Sequence, residues 1–288
     1  MVDWFQDDAR LFIGIALALY GLAVLFAGVS LVQQRRYLRP VLFSLILGAW
    51  VFHTFGLTLR GYEVRACPLG NPFEIVQFIT WSAVGLYVLV FPFYRINLLG
   101  FFITAFAFFL GGVSVLVPGW DHPYEDALFG GNPWVELHAA LAISSYGIFG
   151  LLALIALMYL LQQHALKAKQ SNPFFRFLPS INELDAVGLR LLGAGHLVFT
   201  VSLLVGSLYW VPHFDNVSPL KLLSTFLLWV AYSASLFLRV RNRLVARNFA
   251  WTCVALFGFA LLSLWPVDSS RYRENPALAH IPGREVPR

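Results

Sequence analysis

Eight apolar runs dominate the 288-residue chain, at residues 11–32, 40–59, 75–94, 96–117, 137–161, 191–211, 219–238 and 249–267. An apolar stretch of about 18 or more residues without charge reads as a membrane-spanning helix. The one charge inside these runs is Lys221, close enough to an end to snorkel to the interface. The runs are too long, and too uniformly apolar, for the ten-residue alternating strands of a membrane barrel. The pattern therefore predicts an all-α integral membrane protein. It would be a bundle of eight transmembrane helices forming one polytopic domain over residues 1–288, with a tail at 268–288. Asp3, Asp7 and Asp8 precede the first run. Acidic residues are wrong for a cleavable signal peptide, so the first run is expected to be a retained helix. The longest connection, residues 162–190, holds Asn172-Pro173, Pro179 and then Asn182 ahead of Glu183 and Asp185. Asn182 is a candidate cap for a short interfacial helix there.

Composition agrees and narrows the classes. Of the residues, 59% are hydrophobic and 12% charged, against roughly 25% charged in soluble domains. That excludes a soluble enzyme, a disordered chain and a nucleic-acid-binding protein. The net charge of +5 is a matter of placement rather than of ligand. Arg35, Arg36, Arg39, Arg95, Lys167, Lys169, Arg176, Arg190, Arg239, Arg241, Arg243 and Arg247 fall in loops on one side, with only Glu183 and Asp185 among them. The other side carries eight cations and thirteen acids. The positive-inside rule then places the basic loops in the cytoplasm and both termini outside. Cys67 and Cys253 form no Cys-x-x-Cys motif, and no internal repeat is visible.

Ionisable residues within the spans are scarce, which argues against a proton-coupled pump or a voltage sensor. Histidine is what remains. His53 lies about 9 Å from the outer end of the second run, and His196 about 8 Å from the inner end of the sixth. His138 stands at the outer start of the fifth. His122, His213 and His280 lie in outer segments and His164 in the inner loop. Imidazole is a common axial ligand of haem iron, but a membrane histidine can equally hydrogen-bond a neighbouring helix. The depths of His53 and His196 differ by about 10 Å, which argues against their sharing one porphyrin. The outer loops are rich in aromatic residues: Trp120, Tyr124, Phe129 and Trp134, then Tyr209, Trp210 and Phe214 beside His213 and Asp215. An interfacial aromatic belt accounts for tryptophans taken singly. The density around 206–215 also suits a flat, weakly polar ligand at the membrane surface.

These residues resemble a family. Trp134-Val-Glu-Leu-His138 leading to Ser145-Tyr146 is similar to the His-to-Ser-Tyr helix of the cytochrome c assembly family, the group of CcsA, CcmC and the HemX-like proteins. Leu178-Pro-Ser-Ile-Asn-Glu-Leu-Asp185, the run from Arg190 to Gly206 with Tyr209-Trp210 after it, and Gly70-Asn-Pro-Phe-Glu74 followed by Trp81 fit the same pattern. Eight spans with both ends outside suit the small HemX-like members. The resemblance implies haem bound at the outer face by a tryptophan-rich loop and outward histidines. His138 matches the first of these, as the tentative iron ligand, and residues 209–215 match the loop. Phe214-Asp215 stands where the family has Trp-Asp, and the seventh run ends at Arg239 without the histidine of full haem exporters.

The resemblance implies a non-enzymatic, haem-handling protein of the plasma membrane that assists cytochrome c biogenesis. Its cofactor-binding residues would be His138, Trp210, His213, Phe214, Asp215, Trp134, His53 and His196, with Arg60 or Arg65 near the propionates. Its partners would be membrane lipid, haem, and a separate cytochrome c assembly or tetrapyrrole-biosynthesis protein. The alternative is a HemX-like regulatory or scaffold protein of tetrapyrrole biosynthesis that no longer binds haem and uses its basic inner loop. A b-type electron-transfer subunit, which needs stacked in-span histidine pairs, and a transporter with broken helices fit less well.

Overall fold

A computed structural model describes residues 3–33, 39–90, 98–117, 119–121, 132–169, 178–211, 219–244 and 246–274. The described residues form eight helices: α1 Asp3–Val32, α2 Arg39–Val64, α3 Pro72–Val90, α4 Leu99–Leu116, α5 Pro133–Lys167, α6 Ile181–Trp210, α7 Pro219–Val240 and α8 Ala246–Glu274. Each contains a segment long and apolar enough to cross a membrane. One end of the bundle carries Arg60 and His138, and the opposite end carries Arg239.

The helices pack in two halves. In the first, α1 lies against α2 and α4, and α3 against α2 and α4. In the second, α5 lies against α6 and α8, with α7 against α8 and α6. Contact between α3 and α5 joins the halves. Lipid cannot drive helices together by the hydrophobic effect, so close approach rests on small residues. Gly147 makes the junction possible: a Cβ there would lie 2.0 Å from Ser82 Oγ and 2.8 Å from the backbone nitrogen of Ala83. In the second half, the rings of Phe149 on α5 and Tyr232 on α7 stack at 3.7 Å.

Helix ends differ from the sequence expectation in two places. The Asn182 cap is not formed, and among the described residues of this connection no separate helix stands between α5 and α6; residues 170–177 lie outside the described set. Ser180 is the cap instead, its hydroxyl accepting from the Glu183 amide at 3.2 Å, and α6 runs unbroken from Ile181 to Trp210. Pro179 lacks an amide donor and stands just before the cap, and the residues after Ser180 continue the helix. Likewise, residues from Asp268 onward, read from sequence as tail, continue α8 through Glu274; residues 275–288 lie outside the described set. Helix α5, at 35 residues, is about 50 Å long and exceeds the hydrocarbon thickness.

Candidate functional site

Helix α5 begins at a well-made cap. Asn132 Oδ1 accepts from the Trp134 amide at 3.0 Å, and Pro133 occupies the first helical position, where its missing N–H is no loss. This fixes where the first turn starts and so aims His138, four residues beyond Trp134, at α6. His138 Nδ1 lies 2.7 Å from the Ser202 carbonyl oxygen and 3.1 Å from Ser202 Oγ. A carbonyl oxygen can only accept, so Nδ1 carries the proton. The Ser202 hydroxyl spends its own hydrogen on the His138 carbonyl at 2.9 Å, so toward the ring it too is an acceptor. The tautomer is thereby set: Nε2 keeps its lone pair and has no hydrogen-bond partner among the described residues. Gly206, one turn past Ser202, leaves the ring its space, since a Cβ there would stand 2.6 Å from Nδ1. Trp134 and Leu137 are exposed beside it.

The other predicted residues are distributed differently. His53 is buried in the first half, between α1 and α3, edge-on to Tyr20. His196 lies in the second half; its Nε2 is 3.3 Å from Ser233 Oγ on α7, and Trp229 packs against its ring. Trp229 Nε1 in turn donates to Thr200 Oγ1 at 3.0 Å, so this region of α6 and α7 is joined by polar side chains. Neither histidine joins His138. His164 is in the last turn of α5. Trp210 is described only as the last residue of α6; His213, Phe214 and Asp215 lie outside the described residues, as do His122 and His280.

Arg60 has a different task from the one expected. Its Nε donates to Glu74 Oε1 at 2.7 Å, Nη1 to Glu63 Oε2 at 3.1 Å, and Nη2 to Asp121 Oδ1 at 2.8 Å. Arg10 grips the other oxygen of Asp121 at 2.5–2.8 Å. With each nitrogen committed to a carboxylate and the side chain 4% exposed, Arg60 is not a free cation for a propionate. Glu74 belongs to the α3 cap: Asn71 Oδ1 accepts from its amide at 2.8 Å, and Glu74 Oε2 accepts from the Gly70 amide at 2.7 Å. The Gly70-Asn-Pro-Phe-Glu74 motif is thus a variant capping box that also anchors a buried ion network.

Sequence reading missed Ser202, Gly206, Glu74 and Asp121 as partners. The Ser202-x-x-x-Gly206 spacing, small residues one turn apart, was the available signal for a close helix approach. Among the described residues, no group of three or more His, Cys, Asp or Glu side chains converges as a metal site. A cavity of about 360 Å³ bordered by Leu57, Tyr62, Phe78 and Trp81 does not include His138. At the opposite end, Arg239 pairs with Asp185 and lies over the Phe249 ring at 5.0 Å.

Fold and side-chain placement define a multi-pass helical membrane protein with its imidazole and ion network gathered at one end of the bundle. A profile of the family described as Cytochrome C assembly protein matches residues 69–269, and the chain belongs to this family. It is similar to Protein HemX of Brevibacillus brevis, 27% identical over 95% of this chain and 98% of the relative. Protein HemX of Bacillus subtilis is 27% identical over 88% and 92%. Cytochrome c biogenesis protein CcsA of Mesostigma viride is 21% identical over 86% and 87%. The chain is a membrane protein related to cytochrome c biogenesis proteins.

Proposed function

We propose that this protein is a non-enzymatic haem-handling component of cytochrome c biogenesis, seated in the plasma membrane with both termini and the His138 end facing outward. The single observation that carries the reading is the His138–Ser202 contact. A histidine whose Nδ1–H is held by a backbone carbonyl, with Nε2 left basic, is the arrangement that orients metal-ligating imidazoles. The fit extends to the surroundings. Gly206 lets the imidazole reach the Ser202 carbonyl, and the exposed Trp134 and Leu137 supply apolar surface against which a porphyrin could pack. His138 would hold the haem through Nε2, and the bound haem would supply its iron as a Lewis acid toward that nitrogen. Trp210 at the end of α6, with His213, Phe214 and Asp215 beyond it, belongs to the same proposal.

Purified protein with and without added haem, in wild-type and His138→Ala forms, tests it by absorption spectroscopy. A Soret band in the wild type that is weakened or shifted in the variant is expected; no band in either sample overturns the reading.

A second reading, a scaffold for a tetrapyrrole-biosynthesis enzyme, rests on α5 extending past its span to Lys167, with Leu166 60% exposed. Co-purification lost on replacing Lys167 and Lys169 would support it, and insensitivity to deleting residues 162–177 would sink it.

A further inference from the structure

Within the first half, four buried polar atoms on three helices have no hydrogen-bond partner: the Tyr20 hydroxyl on α1, both ring nitrogens of His53 on α2, and Oε1 of Gln77 on α3. All three side chains are at most 1% exposed. They are neighbours. The Tyr20 and His53 rings lie 6.2 Å apart at 69°, and the Gln77 carboxamide is close enough to the imidazole to act as a weak hydrogen-bonding neighbour, short of full hydrogen-bond geometry. Gln77 cannot turn to help. Its Nε2 donates to the Gly111 carbonyl at 3.1 Å and lies 2.9 Å from Ser114 Oγ, which itself donates to the Gly111 carbonyl at 2.7 Å. The amide nitrogen is therefore committed to α4, and the oxygen is left without a partner of its own.

One orphaned group in a membrane core is unfavourable, because lipid offers no substitute partner. Unpartnered atoms on three side chains grouped around His53 call for a common cause. Their chemistry is complementary to a single small molecule. A tyrosine hydroxyl and a neutral imidazole each offer one donor and an acceptor, and the carboxamide oxygen offers an acceptor. Water, with two donors and two acceptors, matches that set, and buried waters typically make about three hydrogen bonds to such groups. We propose that an ordered water is bound among Tyr20, His53 and Gln77. It joins α1, α2 and α3 through polar contacts and keeps the His53 imidazole as a neutral, hydrogen-bonded group. His53 lies on the same buried face of α2 as Arg60, and Gln77 lies one helical turn, about 5 Å, beneath Glu74. The site lies directly below the charged network and is independent of His138.

The test is infrared spectroscopy of the full-length protein in lipid nanodiscs, in ordinary and ¹⁸O-labelled water, with Tyr20→Phe as the near-isosteric control. The wild-type-minus-variant spectrum should contain a water O–H stretch that shifts with the isotope. The variant's apparent thermal midpoint should fall by about 2–4 °C, as loss of one useful contact predicts. The sign is decisive. If the hydroxyl is simply orphaned, removing it relieves a penalty, so an unchanged or raised midpoint overturns the proposal. Absence of an isotope-sensitive band also overturns it. So does a haem absorption band that survives His138→Ala and vanishes in His53→Leu, because the imidazole would then be an iron ligand.

Discussion

His138 Nδ1 on α5 faces the Ser202 carbonyl oxygen on α6 at 2.7 Å, and the missing side chain of Gly206 keeps the space that the ring occupies. Ser202 and Gly206 are successive members of one face of α6, so the orienting oxygen and the vacancy come from the same helical register.

Gly206→Ala should therefore mimic damage to His138 without touching it. The new Cβ would meet Nδ1 at 2.6 Å and push the imidazole off the Ser202 carbonyl. Outer contacts that orient a metal ligand typically contribute 10- to 100-fold in affinity. Haem titration followed at the Soret band should show a loss of roughly that size, with helix content by circular dichroism unchanged. Equal affinity would show that ring orientation is not what binding depends on.

Arg60→Met should be one of the most destabilising single changes in the chain. It leaves Glu74, fully buried, with an uncompensated charge and separates the α3 cap from α2. Breaking a buried pair from one side costs about 3–5 kcal/mol. Arg60→Lys should recover little, because one ammonium cannot reproduce three nitrogens aimed at three carboxylates. Thermal melts in detergent read both variants; a melt within 2 °C of wild type for Arg60→Met, roughly the shift from half a kcal/mol to one, would contradict the network's role.

Gly147 and Gly193 should respond oppositely to alanine. At 147 the Cβ would overlap Ser82 Oγ at 2.0 Å, forcing the two halves apart. Overpacking of this kind costs about 1–3 kcal/mol. At 193 nothing lies within 4 Å of the added carbon, so helix propensity alone should act, favouring alanine by up to about 1 kcal/mol. Comparing the two melting temperatures separates crossing geometry from a general intolerance of change.

Cys67, between α2 and α3, should be a slow thiol. Burial pushes it up from an ordinary value of 9.0 to about 11, helped by the nearby Glu136 and Glu74 carboxylates. At neutral pH it is protonated, and the thiolate is the nucleophile. Alkylation by iodoacetamide should be slower than for a free cysteine at pH 8 and accelerate toward pH 11. The linked stability has a definite sign. Because the folded value is raised, the contribution is fully present below pH 9 and lost as the pH rises toward 11. Fast alkylation at pH 7 would contradict the burial of this loop.

The capping residues show how much local sequence can carry. Asn71 with Glu74, and Asn132 with Pro133, act on amides within four residues, so the starts of α3 and α5 are legible in the motif. Pro179 and Ser180 carry the same kind of local signal, and the cap they form lies two residues before Asn182. Arg60 shows the limit. It was legible as a cation near one membrane face, but Asp121, the partner that removes it from any ligand, is 61 residues away.

What the sequence determined by itself is the set of spans, because eight apolar stretches are each long enough to cross a membrane and helical hydrogen bonding is satisfied within each stretch. It also determined that histidine and aromatic residues were almost the only chemistry on offer. Only the tertiary structure decided which histidine is oriented by a carbonyl, which is buried among orphaned polar groups, and which arginine is already taken. Helix identity is a local, periodic property of the chain. The partners of His138, His53 and Arg60 depend on which helix faces which, and that is set by contacts such as Gly147 on Ser82 and Gly206 on His138, between residues about 65 positions apart in each case.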